Sequence, residues 1–304
     1  MKKLTQPTGN KAVAARGQFR NGVPYMLIMP SIVIFIVCYI FPIGYMMYLS
    51  FFKWDMLTEM NFVGIKNFAD LLTKEEFHRV LKNTFIFTFV TVGITLSLAM
   101  LLAVWLNHNS KIHRIVQATI FSPHIIALVS VAFVWMWMMD PRYGLLNYIA
   151  EILGLPTSKW LQSPDSSMTS LIITSVWKLV GYDTLILISA LQSIAKSIYE
   201  AAELDNAPPI VTFFRITIPM VSPSLFFLLV MNTLTMFQNF DTVAVMTQGG
   251  PLGSTDTLVH YIYQNAFHYY KLGYASAAGT VLTIIVGILT IIYFRLLGNK
   301  VHYQ

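Results

Sequence analysis

Apolar residues in this chain come in long unbroken runs rather than in alternation. A helix that crosses a bilayer needs about 20 mostly apolar residues. Six runs meet that length, at about 24–52, 84–106, 115–139, 169–192, 220–243 and 274–297. They predict an all-α, polytopic membrane protein with six transmembrane helices. The first run is long and holds Pro30 and Pro42, so a kink or an interfacial end is expected there. Three of the polar connections, 53–83, 140–168 and 244–273, are long enough to hold structure of their own. The last contains TQGGPLGSTDT, a glycine-rich turn cluster, followed by the aromatic stretch YIYQNAFHYY.

Composition agrees with the pattern. The chain is 56% hydrophobic and 11% charged, where a soluble domain carries roughly 25% charged residues. The net charge of +6 does not point to nucleic acid, because the cations collect beside a span. Residues 1–23 hold Lys2, Lys3, Lys11, Arg16 and Arg20 and no acid, the arrangement that keeps a segment on the cytoplasmic side. With the N-terminus inside, the inner segments (the tail, 107–114, 193–219 and the C-terminus) carry 11 basic and 3 acidic residues. The outer ones carry 8 basic and 9 acidic. Both termini are therefore expected in the cytoplasm, with 1–23 as a basic tail and 24–304 as the transmembrane domain. The first run is too long for the core of a signal peptide, and AVAA at 12–15 precedes it, so an uncleaved span is expected. The single cysteine, Cys38, excludes a disulfide within the chain and a CxxC metal site.

One cytoplasmic stretch departs from the rest. Residues 200–209 read EAAELDNAPP. The segment 197–205 is predicted as a short helix, with Ser197 as N-cap and Glu200 completing a capping box. Asn206 stands where a left-handed residue closes a helix, and Pro208 and Pro209 forbid direct continuation. A helix with a flat alanine face and flanking acids suits a groove on another protein. A helix lying on the membrane surface would show bulky apolar residues and a basic polar face instead.

The longer segment EAAELDNAPPIVTFFRITIPMVSP resembles the cytoplasmic EAA loop of the membrane subunits of binding-protein-dependent ABC importers. The matching positions are Glu200, Ala201, Ala202, Asp205, Ile218 and Pro219. Asn206 stands where the family pattern has glycine, a mild departure, since asparagine also tolerates the left-handed region. WKLVGYDTLILISALQSIAKSIYEAA and QGGPLGSTDTLVHYIYQNAFHYYKLGYASAAG look like the carbohydrate-importer branch, maltose type. The resemblance implies a permease subunit in a bacterial cell membrane, with about 198–209 as a coupling helix seated in a cleft of a separate ATPase. Glu200 and Glu203 would make polar contacts there, Ala201 and Ala202 would pack closely, and Asp205 and Asn206 would complete the surface that couples to the ATPase. The implied partners are a second homologous permease, an ATPase dimer and an extracytoplasmic solute-binding protein. ATP and Mg would be bound by the ATPase. This chain has no GxxxxGK[ST] loop and is not expected to be an enzyme. The implied solute is a sugar, an oligosaccharide first and glycerol phosphate or another polyol-like solute as the alternative. A self-contained secondary transporter would favour inverted repeats, and no repeat is evident.

Polar groups inside spans are functional candidates. In the fifth run Asn232, Thr235, Asn239 and Thr242 follow i, i+3, i+7, i+10, which on one helix would put them on one face, with Gln238 and Asp241 close by. Amides and hydroxyls donate and accept, as sugar hydroxyls require; packing between helices is the competing use. Family members place substrate ligands just before the GGP turn, which favours Gln238 and Asn239. The fourth run adds Tyr182 and Asp183; Lys178 is five residues before Asp183, poor spacing for a direct pair, and a structural pair near the outer end is the competing reading. Tyr261, Tyr263, Phe267, Trp135 and Trp137 fit an interfacial aromatic belt better than sugar stacking. The seven histidines show no paired ligand spacing, so no metal site is expected.

Overall fold

The computed structural model describes residues 23–296; the basic tail and Lys300 lie outside the described residues. The chain divides at Tyr48/Leu49 into two units. The first holds α1 (Val23–Phe35), a π-helical turn (Ile36–Ile40) and most of α2 (Phe41–Leu49), which together form one apolar helix. Pro30 is accommodated inside α1. The π turn has a local cause. Pro42 carries no N–H, so the α-helical bond to Cys38 cannot form. The helix absorbs the gap by pairing the Phe41 N–H with the Ile36 carbonyl, one residue further back.

The second unit starts with a small antiparallel hairpin, β1 (Phe52–Lys53) and β2 (Asn61–Phe62), in register Phe52↔Phe62. A short α3 (Lys66–Thr73) leads into α4 (Glu75–Leu106), the second long span. The run read as a single span at 115–139 is instead two helices, α5 (Lys111–Ile125) and α6 (Leu128–Met138), meeting at 103°. After α7 (Leu145–Ile152) the chain enters α8 (Pro164–Ser193), capped by the Ser163 hydroxyl, which accepts from the Asp165 N–H. The cytoplasmic segment holds α9 (Lys196–Leu204), α10 (Pro209–Thr212), a π turn (Phe213–Thr217) and α11 (Ile218–Met220). The proline logic repeats here: Pro219 cannot donate to Arg215, and the Ile218 N–H reaches Phe213 instead. A 67° bend leads into α12 (Ser222–Phe237). The outer connection then carries α13 (Asp241–Met246) and α14 (Leu258–Tyr263), and α15 (Leu272–Leu296) is the last span.

The core lies where α4, α8 and α12 meet. Phe87, Val92, Leu171, Ile172 and Met236 are buried together in its outer half. Ala99, Ala103, Leu187, Leu191 and Leu228 are buried together in its inner half. The small Ala99 and Ala103 let backbones approach, the usual solution where lipid offers no hydrophobic drive between helices. Helices α4 and α8 run parallel, because the early residues of both hold the same glycine-rich loop. Asn83 donates to the carbonyls of Gly253 and Asp256, both at 3.0 Å, and the Ser167 and Ser254 hydroxyls are 2.9 Å apart. Gly181 allows α8 to cross α5 at backbone contact: a β-carbon there would overlap the Ile120 carbonyl and stand 2.9 Å from the Phe121 Cα.

Candidate functional site: the EAA loop and the mid-span polar cluster

Helix α9 begins at Lys196, one residue before the expected cap. Its N-cap is Ala195, with no side-chain bond, so the expected Ser197–Glu200 capping box is not what starts it. The start is set by packing instead: Ile198 and Tyr199 pack against the inner core, and the Tyr199 hydroxyl lies 3.3 Å from that of Thr217. The end matches expectation. Asn206 adopts φ 51°. The Ala207 N–H donates to the Ala202 carbonyl and the Asn206 N–H to that of Glu203, each at 3.0 Å. These are the two bonds of a Schellman cap, closed by asparagine in the left-handed conformation where glycine is the usual choice.

This cap fixes what the helix shows. Glu200, Ala201, Glu203, Asp205 and Asn206 are exposed, and Leu204 is 84% exposed. Ala202 is buried. The expectation that both alanines face outward is thus corrected. Ala201 is free for a partner, whereas Ala202 seats the helix on its own permease body. Leu204 belongs to the exposed face.

The fifth-run stripe is also corrected. Helix α12 ends at Phe237, residues 238–240 leave the helix, and α13 restarts at Asp241. The i, i+3, i+7, i+10 spacing therefore does not lie on one face. Asn232 and Thr242 are buried, while Thr235, Gln238 and Asp241 are exposed. Thr235 bonds its own helix at the Met231 carbonyl. Asn239 is half-buried, and its side-chain carbonyl has no protein partner among the described residues.

What the structure does bring together lies in the middle of α8. The Asn232 amide donates to one oxygen of Asp183, joining α12 to α8. Asp183 is 0% exposed, and its second oxygen has no partner among the described residues. One residue away, Tyr182 stacks on His124 of α5, rings 4.5 Å apart and 11° from parallel. Lys178 does not pair with Asp183 and does not lie at the outer end. Its ammonium donates to the Ile126 carbonyl at 2.6 Å and to the Pro123 carbonyl at 3.2 Å. It satisfies the carbonyls that the α5–α6 break leaves open. The break follows Pro123, which cannot donate a backbone N–H, and its open carbonyls are held from another helix. Of the aromatic candidates, Tyr261 and Trp135 are buried, whereas Tyr263, Phe267 and Trp137 are exposed. His260 pairs with Asp256 at 2.7 Å across one helical turn. Among the described residues no group of three metal-ligating side chains forms.

A helical, multi-pass body with broken spans and a short capped helix projecting from one end defines a class: the membrane component of a solute transporter. The chain belongs to the binding-protein-dependent transport system inner membrane components, whose family description residues 12–303 match. It is 33% identical over 296 residues to the sn-glycerol-3-phosphate transport system permease protein UgpA of Pectobacterium atrosepticum, covering 96% of this chain and 99% of that one. It is 35% identical over 289 residues to YesP of Bacillus subtilis, which carries the name of an ABC transporter permease protein, covering 93% of both. Among solved structures, a chain of a bacterial alginate ABC transporter in complex with its periplasmic protein superposes with a TM-score of 0.79. That likeness is at 23% identity, over 91% of this chain and 94% of that one, and speaks for the fold. The protein is therefore an inner-membrane, multi-pass permease component and not itself catalytic. ATP belongs to a separate ATPase, and a binding protein delivers the solute.

Proposed function

We propose that this chain forms half of the pathway of an ATP-driven importer for a small anionic polyol of the glycerol phosphate kind, with a second homologous permease as the other half. The observation that carries this choice over a neutral oligosaccharide is the near end-to-end likeness to the glycerol-3-phosphate permease. The segment 198–209 is the coupling element: Glu200, Ala201, Glu203, Asp205 and Asn206 face the ATPase, Leu204 enters its cleft, and Ala202 transmits movement into the permease core. Closure of the ATPase dimer would then rock the two halves as rigid bodies. Gln238 and Asn239, outside the regular helix and next to the glycine-rich loop, are the best-placed pathway residues, with Thr235 exposed one turn before. Asn232, Asp183 and Tyr182 set the shape of that pathway from behind, because their side chains are engaged within the bundle.

The test is uptake. Cells lacking their own systems and expressing the chain with its partner subunits should accumulate labelled sn-glycerol 3-phosphate. Neutral maltooligosaccharides in large excess should not compete. Uptake of the oligosaccharide with no uptake of the phosphate would replace this reading. Ala201→Arg should abolish uptake with the chain still inserted in the membrane, and normal uptake by that variant would remove the coupling assignment.

A further inference from the structure

At the end of α4 opposite the EAA loop lies a cavity of about 590 Å³, walled by the β1–β2 hairpin, α3 and the start of α15. Pockets for small ligands run from roughly 300 to 1,000 Å³. Four ammonium groups line it, those of Lys53, Lys66, Lys74 and Lys271. They come from three places in the chain: β1, the two ends of α3, and the residue before α15. None of the four pairs with a carboxylate among the described residues. Two carboxylates are nearby, Asp55 and Asp70. Asp55 is already spoken for: one of its oxygens accepts from the Leu57 N–H, the Thr58 N–H and the Thr58 hydroxyl. The cavity thus carries an excess of positive charge that its own loop does not neutralise.

The walls are also aromatic. Trp54, Tyr269, Tyr270 and Tyr274 line the same space, with the Lys74 ammonium 4.4 Å from the Tyr274 ring centre. The backbone that carries Lys271 is fixed by the end of the preceding π-helical turn (Gln264–His268). Tyr270 adopts φ 51°, unusual for a bulky residue, and the Lys271 N–H is fixed on the buried Asn265 carbonyl at 2.8 Å. Gly273 lets the α15 backbone close against Phe52, and the Gly273 N–H donates to Trp54 at 3.3 Å. The left-handed Tyr270 closes that helical turn and brings Lys271 to the same cavity as the lysines of the hairpin and α3.

We infer that this outer cavity is an anion site, taking a phosphate or carboxylate carried on a hydroxylated skeleton. The ammonium groups bind the charge as point cations, and the ring faces take the carbon skeleton. For the identity of its free ligand the inference rests on the anionic-polyol reading above. A phospholipid headgroup has the same chemistry as a free organic phosphate, and the experiment separates the two sources.

The complete importer, reconstituted in phosphatidylcholine nanodiscs, is titrated with labelled sn-glycerol 3-phosphate without binding protein. The comparison is the triple variant Lys53→Gln/Lys66→Gln/Lys271→Gln, with the triple Lys→Arg variant as control. The expected result is saturable, salt-sensitive binding, weakened tenfold or more in the glutamine variant and restored in the arginine variant. Equal binding by wild type and the glutamine variant, or no binding to wild type, overturns the site for that anion. The titration is then repeated with a carboxylated oligosaccharide. If only that probe binds, and lysine-dependently, the cavity stands and the glycerol phosphate reading falls. If cells take up glycerol phosphate but neither probe depends on the lysines, the function stands and the cavity falls. Nanodiscs containing phosphatidylglycerol identify the source. Displacement of the soluble probe by that lipid in wild type assigns the site to a headgroup, and undiminished binding assigns it to the free solute.

Discussion

Asn206 offers the sharpest test of how the coupling loop is built. Its φ of 51° is imposed by the cap, because only that conformation lets the Asn206 and Ala207 N–H groups reach back to Glu203 and Ala202. An ordinary L-residue in this region costs roughly 1–2 kcal/mol, while glycine and, to a lesser extent, asparagine enter it readily. Asn206→Gly should therefore be neutral or mildly favourable. Asn206→Ala should lose about 1 kcal/mol, and the β-branched Asn206→Val more. Helix α9 is only nine residues long, and isolated helices below about 12–15 residues are marginal. A loss of 1–2 kcal/mol then falls almost wholly on the capped conformation, lowering its population by a factor of about 5–30. The assay is solute transported per ATP hydrolysed in the reconstituted importer, with the amount of co-purified ATPase. The order should be Gly at or above wild type, then Ala, then Val, with several-fold losses for the last two. Ala and Val variants that couple like wild type would refute the cap argument. So would a Gly variant as poor as Ala, since the asparagine side chain itself would then be the functional group.

Three further outcomes follow from the same geometry. Gly181→Ala should separate α5 from α8, because its methyl group meets the Ile120 carbonyl rather than a side chain that can turn aside. Overpacking typically costs about 1–3 kcal/mol, read as a lower melting temperature of the detergent-purified protein, and an unchanged temperature would contradict the crossing. Asn232→Ala and Asp183→Ala should each destabilise the protein. The double variant should be less affected than the sum, by about 0.5–3 kcal/mol, since the pair bridges α12 and α8; strict additivity in unfolding measurements would deny that bond. Asp55 is held down to about 2 from its ordinary 3.8, first by the Thr58 N–H, then by the Thr58 hydroxyl and the Leu57 N–H. A depressed carboxylate stabilises in full above its unfolded value and loses that contribution as pH falls through its folded one. Protease resistance of the 55–58 loop should accordingly hold at pH 5 and decline between about pH 4 and pH 2. In Asp55→Asn that decline should be absent, and an identical decline in both would place its cause elsewhere.

The parts of the fold legible in the sequence are those with local causes. Runs of apolar residues gave the spans. Pro42, expected to bend the first run, sits just after a π turn, as Pro219 does. Asn206, followed by Pro208 and Pro209, announces the end of α9. What stayed hidden depends on distant partners. The 103° break between α5 and α6 lies just past Pro123, but its carbonyls are satisfied only by Lys178, some fifty residues on. The supposed stripe from Asn232 to Thr242 failed because periodicity assumes an unbroken helix, and the chain leaves α12 at Gln238. Ala201 and Ala202 are alike as letters. Only the packing of Ile198 and Tyr199 on the core decides which one points inward. The four lysines of the outer cavity, at 53, 66, 74 and 271, share no motif, and it takes the fold to bring them to one place.

These elements are joined mechanically. Helix α9 is seated through Ala202, Ile198 and Tyr199 on the inner core formed by α4, α8 and α12. The parallel helices α4 and α8 carry that core to their opposite ends, where Asn83 and Ser167 hold the loop that follows Gln238 and Asn239. A push on α9 therefore acts on two stiff, long helices rather than on flexible connections. The weak points of the assembly are the bends, at the α5–α6 break and at the 67° turn before α12. Each has a different restraint: Lys178 across the first, and the Pro219-dependent π turn leading into the second. If transport requires α4 and α8 to move as one body while α5–α6 and α12 adjust, substitutions that loosen Lys178 should impair coupling between ATP hydrolysis and uptake. Substitutions at the exposed outer end of α6 should leave that coupling intact. Measuring the ratio of uptake to hydrolysis for Lys178→Met and Trp137→Leu separates the two cases, and equal ratios would mean that the break is not a working joint.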